Sequence, residues 1–143
     1  MSKILLSSLS KYQNFGLLVS RIVIGCAFAY VHGFKKIIGG TELWIKLGGS
    51  MKNIGIDFFP VFWGFMASFS EFFGGIFLAL GLFFRPSAIL IFITMIVAAV
   101  FHINNGDPIS KIAYPIEIAA FIFLLIFTGP GKLSLDKIFF NKT

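Results

Sequence analysis

Charged residues and cysteine are both scarce in this sequence. Only 13% of its 143 residues are charged and six are acidic, whereas soluble domains are about one quarter charged. Hydrophobic residues make up 57% of the chain, and 20 residues are phenylalanine. A chain of this size cannot bury so much apolar surface in one core. The composition therefore predicts an integral membrane protein, with lipid around its apolar side chains.

The single cysteine, Cys26, excludes an intrachain disulfide, a CxxC redox pair and a cysteine metal cage. It falls in an apolar run, where we expect a buried and inert small hydrophobe. His32, His102 and Glu117 have side chains of a kind suited to a metal. No short ligand motif such as HxxxH supports that alternative, so we predict no metal site.

The net charge of +6 does not indicate nucleic-acid binding. The basic residues lie almost entirely outside the apolar runs, where they suit phospholipid headgroups and topology signals. No basic face carries interleaved aromatic residues. We therefore exclude nucleic acid as a partner and expect the lipid bilayer instead.

Four apolar segments are long enough to cross about 30 Å of hydrocarbon as helices. They cover residues 15–34, 60–83, 86–103 and 113–128. This order predicts an all-α fold, an integral membrane four-helix bundle forming one domain over residues 1–143. The long connection 35–57 contains ELWIKLGGSM, which predicts a short amphipathic segment in the membrane interface between the first two helices, with an ordinary exposed loop as the alternative.

Prolines and a serine suggest where helices begin. Pro60 and Pro86 lie near the predicted starts of the second and third helices, and Pro115 falls in the first turn of the predicted fourth helix. After the fourth helix, Ser134 is a candidate cap for a short interfacial helix with Asp136 in its first turn.

Basic residues on the two sides of the membrane favour one orientation. Four spans place both termini on the same side, and the basic residues predicted there are Lys3, Lys11, Arg21, Arg85, Lys132, Lys137 and Lys142. The other side has Lys35, Lys36, Lys46, Lys52 and Lys111. The positive-inside rule therefore predicts cytoplasmic termini.

The second predicted helix has one face of small residues that includes a glutamate. Residues spaced three or four apart share a helix face, and this face comprises Gly64, Ala67, Ser68, Glu71, Gly74, Gly75 and Leu78. A second stripe comprises Phe58, Phe62, Phe65, Phe69 and Phe72. Helices in lipid pack through small residues, so we expect Glu71 to face the bundle and the phenylalanines to face lipid.

The other three helices each have a comparable face. These faces comprise Arg21, Gly25, Ala29 and His32; Ser87, Thr94, Ala98 and His102; and Ala113, Glu117, Ala120 and Leu124. Together they predict a polar track through the bundle. Arg21 lies at one end and Glu71 in the middle, while His32, His102 and Glu117 form the far mouth.

Glu71 is the residue on which the functional prediction depends. A charge at the bilayer centre costs roughly 2.5–3.5 kcal/mol, so Glu71 is either protonated or paired, and Arg21 is a possible partner. Such a carboxylate suits proton exchange or a hydrogen bond to a carbonyl ligand such as a quinone. A structural ion pair between the first two helices is the open alternative.

The candidate site residues follow from these faces. The catalytic candidates are Glu71, Arg21 and His102, and the ligand-binding candidates are His32, Glu117, Ser68 and Thr94. For the two histidines, an interfacial residue without a catalytic role is the alternative.

Several segments resemble the DoxX family of small four-helix bacterial membrane proteins. They are LLVSRIVIGCAFAYVHGFKKI, SEFFGGIFLALGLFFRPSA, AAVFHINNG and FTGPGKLSLD. The resemblance implies that Arg21, Glu71 and His102 match recurrent polar positions of the family. It also implies a place in the bacterial inner membrane.

The family includes subunits of a thiosulfate–quinone oxidoreductase and proteins linked to thiol or oxidative-stress complexes. The resemblance therefore implies a membrane subunit of an oxidoreductase system, with soluble or membrane oxidoreductase subunits as partners and a quinone as a possible cofactor. The sequence carries no self-contained catalytic motif, so catalysis by the chain alone stays open. The alternatives are a non-enzymatic scaffold or assembly factor, or a small transporter working as a homo-oligomer.

Overall fold

The computed structural model describes residues 10–140, which form helices and no strand in this range. The helices are α1 Gln13–Ile37, α2 Gly40–Gly48, α3 Pro60–Leu80, α4 Phe84–Asn104, α5 Ile109–Thr128 and α6 Leu135–Phe140. A 3-10 turn, Gly49–Ile54, separates α2 from α3. The predicted all-α fold is confirmed.

Four of these helices, α1, α3, α4 and α5, are long and apolar enough to cross a membrane. Their lengths are 25, 21, 21 and 20 residues, which suits the roughly 20 residues that a span needs. The membrane four-helix bundle predicted from the sequence is therefore confirmed, and the connection between α1 and α3 contains the predicted short helical segment.

Helix boundaries agree with the predictions for Pro60 and Ser134 but not with the prediction for Pro115. Pro60 opens α3, and the hydroxyl of Ser134 accepts the N–H of Lys137 at 3.3 Å, as expected for the cap of α6. The prediction for Pro115 was wrong, because α5 begins at Ile109, directly after the extended Pro108. Pro115 therefore lies inside the helix, in its second turn.

Helices α1 and α3 are in close backbone contact at two glycines. A Cβ at Gly25 would lie 2.5 Å from the carbonyl oxygen of Gly75, and a Cβ at Gly75 would lie 2.7 Å from that of Gly25. Only two glycines permit this backbone contact. The buried apolar core lies beside it and comprises Phe28, Leu78, Phe84, Ala88, Ile91, Met95, Ala119, Ile122 and Leu125.

Helix α2 packs along the first half of α3. A Cβ at Gly64 would lie 1.8 Å from the carbonyl oxygen of Trp44, and one at Gly48 would lie 1.8 Å from that of Pro60. The indole N–H of Trp44 donates to the carbonyl of Lys36 at 2.9 Å. Helix α2 thus continues the line of α1 along α3, so the segment is fixed to the bundle.

The orientation of α3 is as predicted. Its glycines, Ser68 and Glu71 are buried, whereas Phe58 and Phe62 are exposed and Phe69 and Phe72 are half-buried. The small face therefore points into the bundle, and the phenylalanine stripe lies mainly on its outside.

Two predictions of burial were wrong: the inward face of α5 and the burial of Cys26. Glu117, Ala120 and Leu124 are exposed, and the buried side of α5 comprises Pro115, Ala119, Ile122 and Leu125. Large apolar side chains, with one alanine and a proline, fill the core here, so the small-residue rule that orients α3 does not orient α5. Cys26 is also exposed, because the neighbouring Gly25 takes the inward position.

Candidate functional site

Glu71 lies near the middle of α3 and is only 3% exposed. The ammonium group of Lys36, at the end of α1, lies 2.7 Å from its Oε1 and 2.6 Å from its Oε2. The Lys36 side chain is 31% exposed, so it reaches from the surface to a buried carboxylate. The two charges compensate each other where an isolated charge would be costly.

Helix α1 is distorted just before Lys36. Residues Ala27–Gly33 form a π-helix, a wide turn that occurs frequently at functional sites. Gly33, its last residue, packs against the backbone of α3, and a Cβ there would lie 2.4 Å from the amide nitrogen of Phe72. This contact brings the end of α1 onto α3 beside Glu71, within reach of Lys36.

A second hydrogen-bonded pair lies close to the first. The hydroxyl of Tyr114 on α5 and Nε2 of His32 are 2.7 Å apart. His32 directly precedes Gly33, where a Cβ would lie 2.7 Å from the carbonyl carbon of Glu71, so this pair lies beside the Glu71 segment of α3. Tyr114 is 41% exposed on the outside of the bundle. We call Lys36, Glu71, His32 and Tyr114 the polar cluster; it comprises a buried ion pair and a neighbouring hydrogen-bonded pair at the outer surface of α1 and α5.

The structure does not pair Arg21 with Glu71, the partner considered from the sequence. The Arg21 guanidinium donates instead to the carbonyls of Pro130 and Leu133, in the loop after α5. It lies beside Gly81, since a Cβ there would be 2.8 Å from Nη1. Gly81 is ten residues beyond Glu71 in the sequence, or roughly 15 Å along α3. Arg21 therefore lies too far along the helix to pair with Glu71, and it binds the loop after α5 instead.

Two further candidates are satisfied by neighbouring groups. The hydroxyl of Ser68 donates to the carbonyl of Gly64 at 2.8 Å within α3. The hydroxyl of Thr94 lies 3.1 Å from that of Ser70 and donates to the carbonyl of Leu90 at 2.9 Å. These contacts join α4 to α3 near the level of Glu71, and the sequence prediction had not included Ser70.

The predicted mouth of His32, His102 and Glu117 does not form. Nδ1 of His102 lies 2.9 Å from Asp107, which also contacts Lys111 at 3.3 Å. The hydrogen bond with His102, and secondarily the contact with Lys111, hold the pKa of Asp107 below its ordinary value. Glu117 is exposed on the outer side of α5. Within residues 10–140, no three His, Cys, Asp or Glu side chains are grouped so as to hold a metal ion.

The site residues predicted from the sequence did not include two members of the polar cluster, Lys36 and Tyr114. Lys36 follows His32 by four residues and so extends the polar stripe of the first helix. That spacing was a usable signal. No sequence signal pointed to Tyr114, because the inward face of α5 was assigned to other residues.

Comparison with known proteins identifies the family. The DoxX family model matches residues 16–103, more than half of the chain. The chain belongs to the DoxX family. This confirms the resemblance seen in the sequence, and the DoxX match includes most of α1, all of α2 and α3, and most of α4. No solved structure matches the chain.

Relatives of this DoxX chain align over nearly its whole length. An uncharacterized protein of Haemophilus influenzae is 32% identical, covering 96% of this chain and all of the relative. Inner membrane protein YqjF of Escherichia coli K12 is 28% identical, over 94% and 99% of the two chains. Inner membrane protein YphA of the same strain is 32% identical, over 89% and 96%. The chain is therefore a DoxX-family membrane protein with inner-membrane relatives.

Proposed function

We propose that this DoxX-family chain is the membrane subunit of an oxidoreductase system and that the polar cluster binds the headgroup of a quinone. The observation that supports this is the position of the His32–Tyr114 pair beside buried Glu71, with Tyr114 41% exposed on the outside of the bundle. A lipid-soluble ligand reaches such a site from the bilayer, without an aqueous channel. The electrons would come from a soluble or membrane partner subunit.

The residues of the cluster suit a carbonyl-bearing ligand. Tyr114, His32 and Lys36 can donate hydrogen bonds, and quinone oxygens are acceptors. A quinone, when bound, supplies redox chemistry that takes up two electrons and two protons. His32 and Glu71 would hold or transfer protons, Lys36 would balance the charge on Glu71, and Tyr114 would orient the headgroup at the surface.

Binding of decylubiquinone to the full-length protein in phosphatidylcholine nanodiscs tests this function. We expect Tyr114→Phe to weaken binding about two- to tenfold, since one neutral hydrogen bond contributes roughly 0.5–1.5 kcal/mol. Tyr30→Phe is the matched control, because Tyr30 is 78% exposed on α1 and its hydroxyl makes no hydrogen bond within residues 10–140. Equal affinities of the two variants would count against the site.

A non-enzymatic scaffold is the second candidate. It is favoured by the ion pair itself, since Lys36 lies within 2.7 Å of both carboxylate oxygens of Glu71 and balances its charge without any ligand. In that role the pair would only hold α1 in register on α3. A folded wild-type protein with no measurable affinity for decylubiquinone would support the scaffold.

The orientation proposed for the chain has both termini in the cytoplasm. Its support is the excess of basic residues at the end where α1 begins and α5 ends. Reporter fusions at the C-terminus, active only in the cytoplasm or only in the periplasm, test it. Activity of the periplasmic reporter alone would reverse the orientation.

A further inference from the structure

A cleft opens at the end of the bundle where α1 begins and α5 ends. Its volume is about 640 Å³, and it lies between the start of α4, the loop after α5 and α6. This end of the bundle is the one away from Lys36 and the polar cluster. The charged side chains that line it are Arg85, Lys132, Lys137 and Asp136.

The charges of the cleft are unbalanced. Arg85, Lys132 and Lys137 are exposed, and none forms an ion pair within the described part of the chain. The one carboxylate is already used: Asp136 accepts the backbone N–H groups of Phe83 at 2.8 Å and Phe84 at 2.9 Å. Three cations therefore face the cleft without an anionic partner.

The cleft lies where three of the membrane-spanning helices begin or end. Its lining includes Asn14 near the start of α1, Pro86 near the start of α4 and Thr128 at the end of α5. Helix α6, beside it, exposes Ile138, Phe139 and Phe140, which suits a helix lying on the bilayer surface. Cations at the ends of membrane spans are suited to contact lipid phosphates.

We propose that this cleft binds the phosphate group of an anionic phospholipid headgroup. The unpaired cations supply the attraction, the membrane boundary supplies the depth, and the exposed apolar side chains of α6 reach the adjacent acyl chains. Basic pockets between membrane helices bind anionic headgroups in this way. Asp136 does not neutralise these cations by an ion pair, because its two oxygens accept backbone N–H groups.

Native mass spectrometry of the detergent-solubilised full-length protein tests this site. The protein is titrated with dioleoylphosphatidylglycerol, with dioleoylphosphatidylcholine, and with phosphatidylglycerol in the presence of inorganic phosphate. The test variant is Lys132→Gln/Lys137→Gln, which removes no side-chain hydrogen bond among the described residues. The matched control is Lys46→Gln/Lys52→Gln, two exposed lysines outside the cleft. Circular dichroism confirms that both variants are helical.

The expected result is preference for phosphatidylglycerol and a loss of about 25-fold in the test variant only, since each basic residue near an anionic surface contributes roughly fivefold. Arg85→Gln alone should weaken binding about fivefold and serves if the double variant fails to fold. Equal losses in both double variants, or equal binding of both lipids, would overturn the proposal. Displacement of phosphatidylglycerol by millimolar inorganic phosphate would assign the cleft to free phosphate instead.

Discussion

Lys36 at the end of α1 forms an ion pair with Glu71 in the middle of α3, with its Nζ atom 2.7 Å and 2.6 Å from the two carboxylate oxygens. The pair fixes the height of α1 against α3. It also makes lysine, rather than Arg21, the residue that balances the buried negative charge. Both the proposed quinone site and the alternative scaffold role depend on this relationship.

Neutralising one partner of the pair should destabilise the protein more than neutralising both. We expect Glu71→Gln to lower the free energy of unfolding by about 1–4 kcal/mol, a range between exposed and fully buried pairs. Lys36→Gln should restore part of this loss. Urea or heat unfolding in detergent, followed by circular dichroism, measures the coupling between the two changes.

Arg21→Gln is the control for this cycle, because Arg21 contacts the loop after α5 instead of Glu71. Its effect should add to that of Glu71→Gln without coupling, since distant sites behave independently. If Arg21→Gln restored the stability of Glu71→Gln, and Lys36→Gln did not, the assigned pairing would be incorrect.

Two adjacent glycines should respond differently to the same substitution. A Cβ at Gly75 would lie 2.7 Å from the amide nitrogen of Ala29 and from the carbonyl oxygen of Gly25, both backbone atoms. A Cβ at Gly74 would meet nothing closer than the Ile91 side chain at 3.5 Å and the carbonyl oxygen of Ser87 at 3.8 Å. We expect Gly75→Ala to cost about 1–3 kcal/mol.

Gly74→Ala is the matched control and should change the unfolding free energy by less than about 1 kcal/mol. The measurement is the thermal midpoint of both variants in the same detergent. Similar midpoints for the two variants would show that α1 and α3 do not pack through Gly25 and Gly75.

The loop between α4 and α5 should give the protein a component of acid sensitivity. Hydrogen bonding with His102, and then Lys111, lowers the folded-state pKa of Asp107 below its ordinary value of 3.8. A depressed carboxylate pKa contributes stability above the unfolded pKa, and this contribution disappears as pH falls through the folded pKa. Asp107→Asn should therefore remove part of the stability decline below about pH 4.

Thermal midpoints between about pH 6 and pH 2 measure this effect. Asp57→Asn is the control, since Asp57 is exposed and makes no ion pair within residues 10–140. The prediction would be refuted by Asp107→Asn and Asp57→Asn midpoints that follow the same pH dependence.

The sequence was sufficient to predict the fold and the inward side of α3. Composition and the length of the apolar runs require a membrane bundle, because few other environments accommodate them. On α3 the small residues lie on one side and the phenylalanines on another, so the helix could be oriented from its pattern. Gly64, Ser68 and Glu71 are buried as that pattern predicted.

The sequence was insufficient for α5 and for the partners of the charged residues. In α5 both sides are apolar, so Glu117 and Ala120 could be placed inward as readily as Ala119 and Ile122. The spacing of Lys36 from His32 placed Lys36 on the polar stripe of α1, but not its pairing with Glu71, since the π-helical turn Ala27–Gly33 precedes Lys36 in α1 and no periodicity shows its position. Arg21 similarly binds loop carbonyls that lie more than one hundred residues away in sequence.

Decylubiquinone binding by Lys36→Gln/Glu71→Gln in nanodiscs tests the central claim most directly. This double variant removes the charges of the polar cluster together, which limits the loss of stability and leaves His32 and Tyr114 in place. The account predicts a helical, monodisperse protein that binds decylubiquinone at least tenfold more weakly than wild type, about 1.4 kcal/mol. A folded double variant with wild-type affinity would contradict it and leave Lys36 and Glu71 a structural role only.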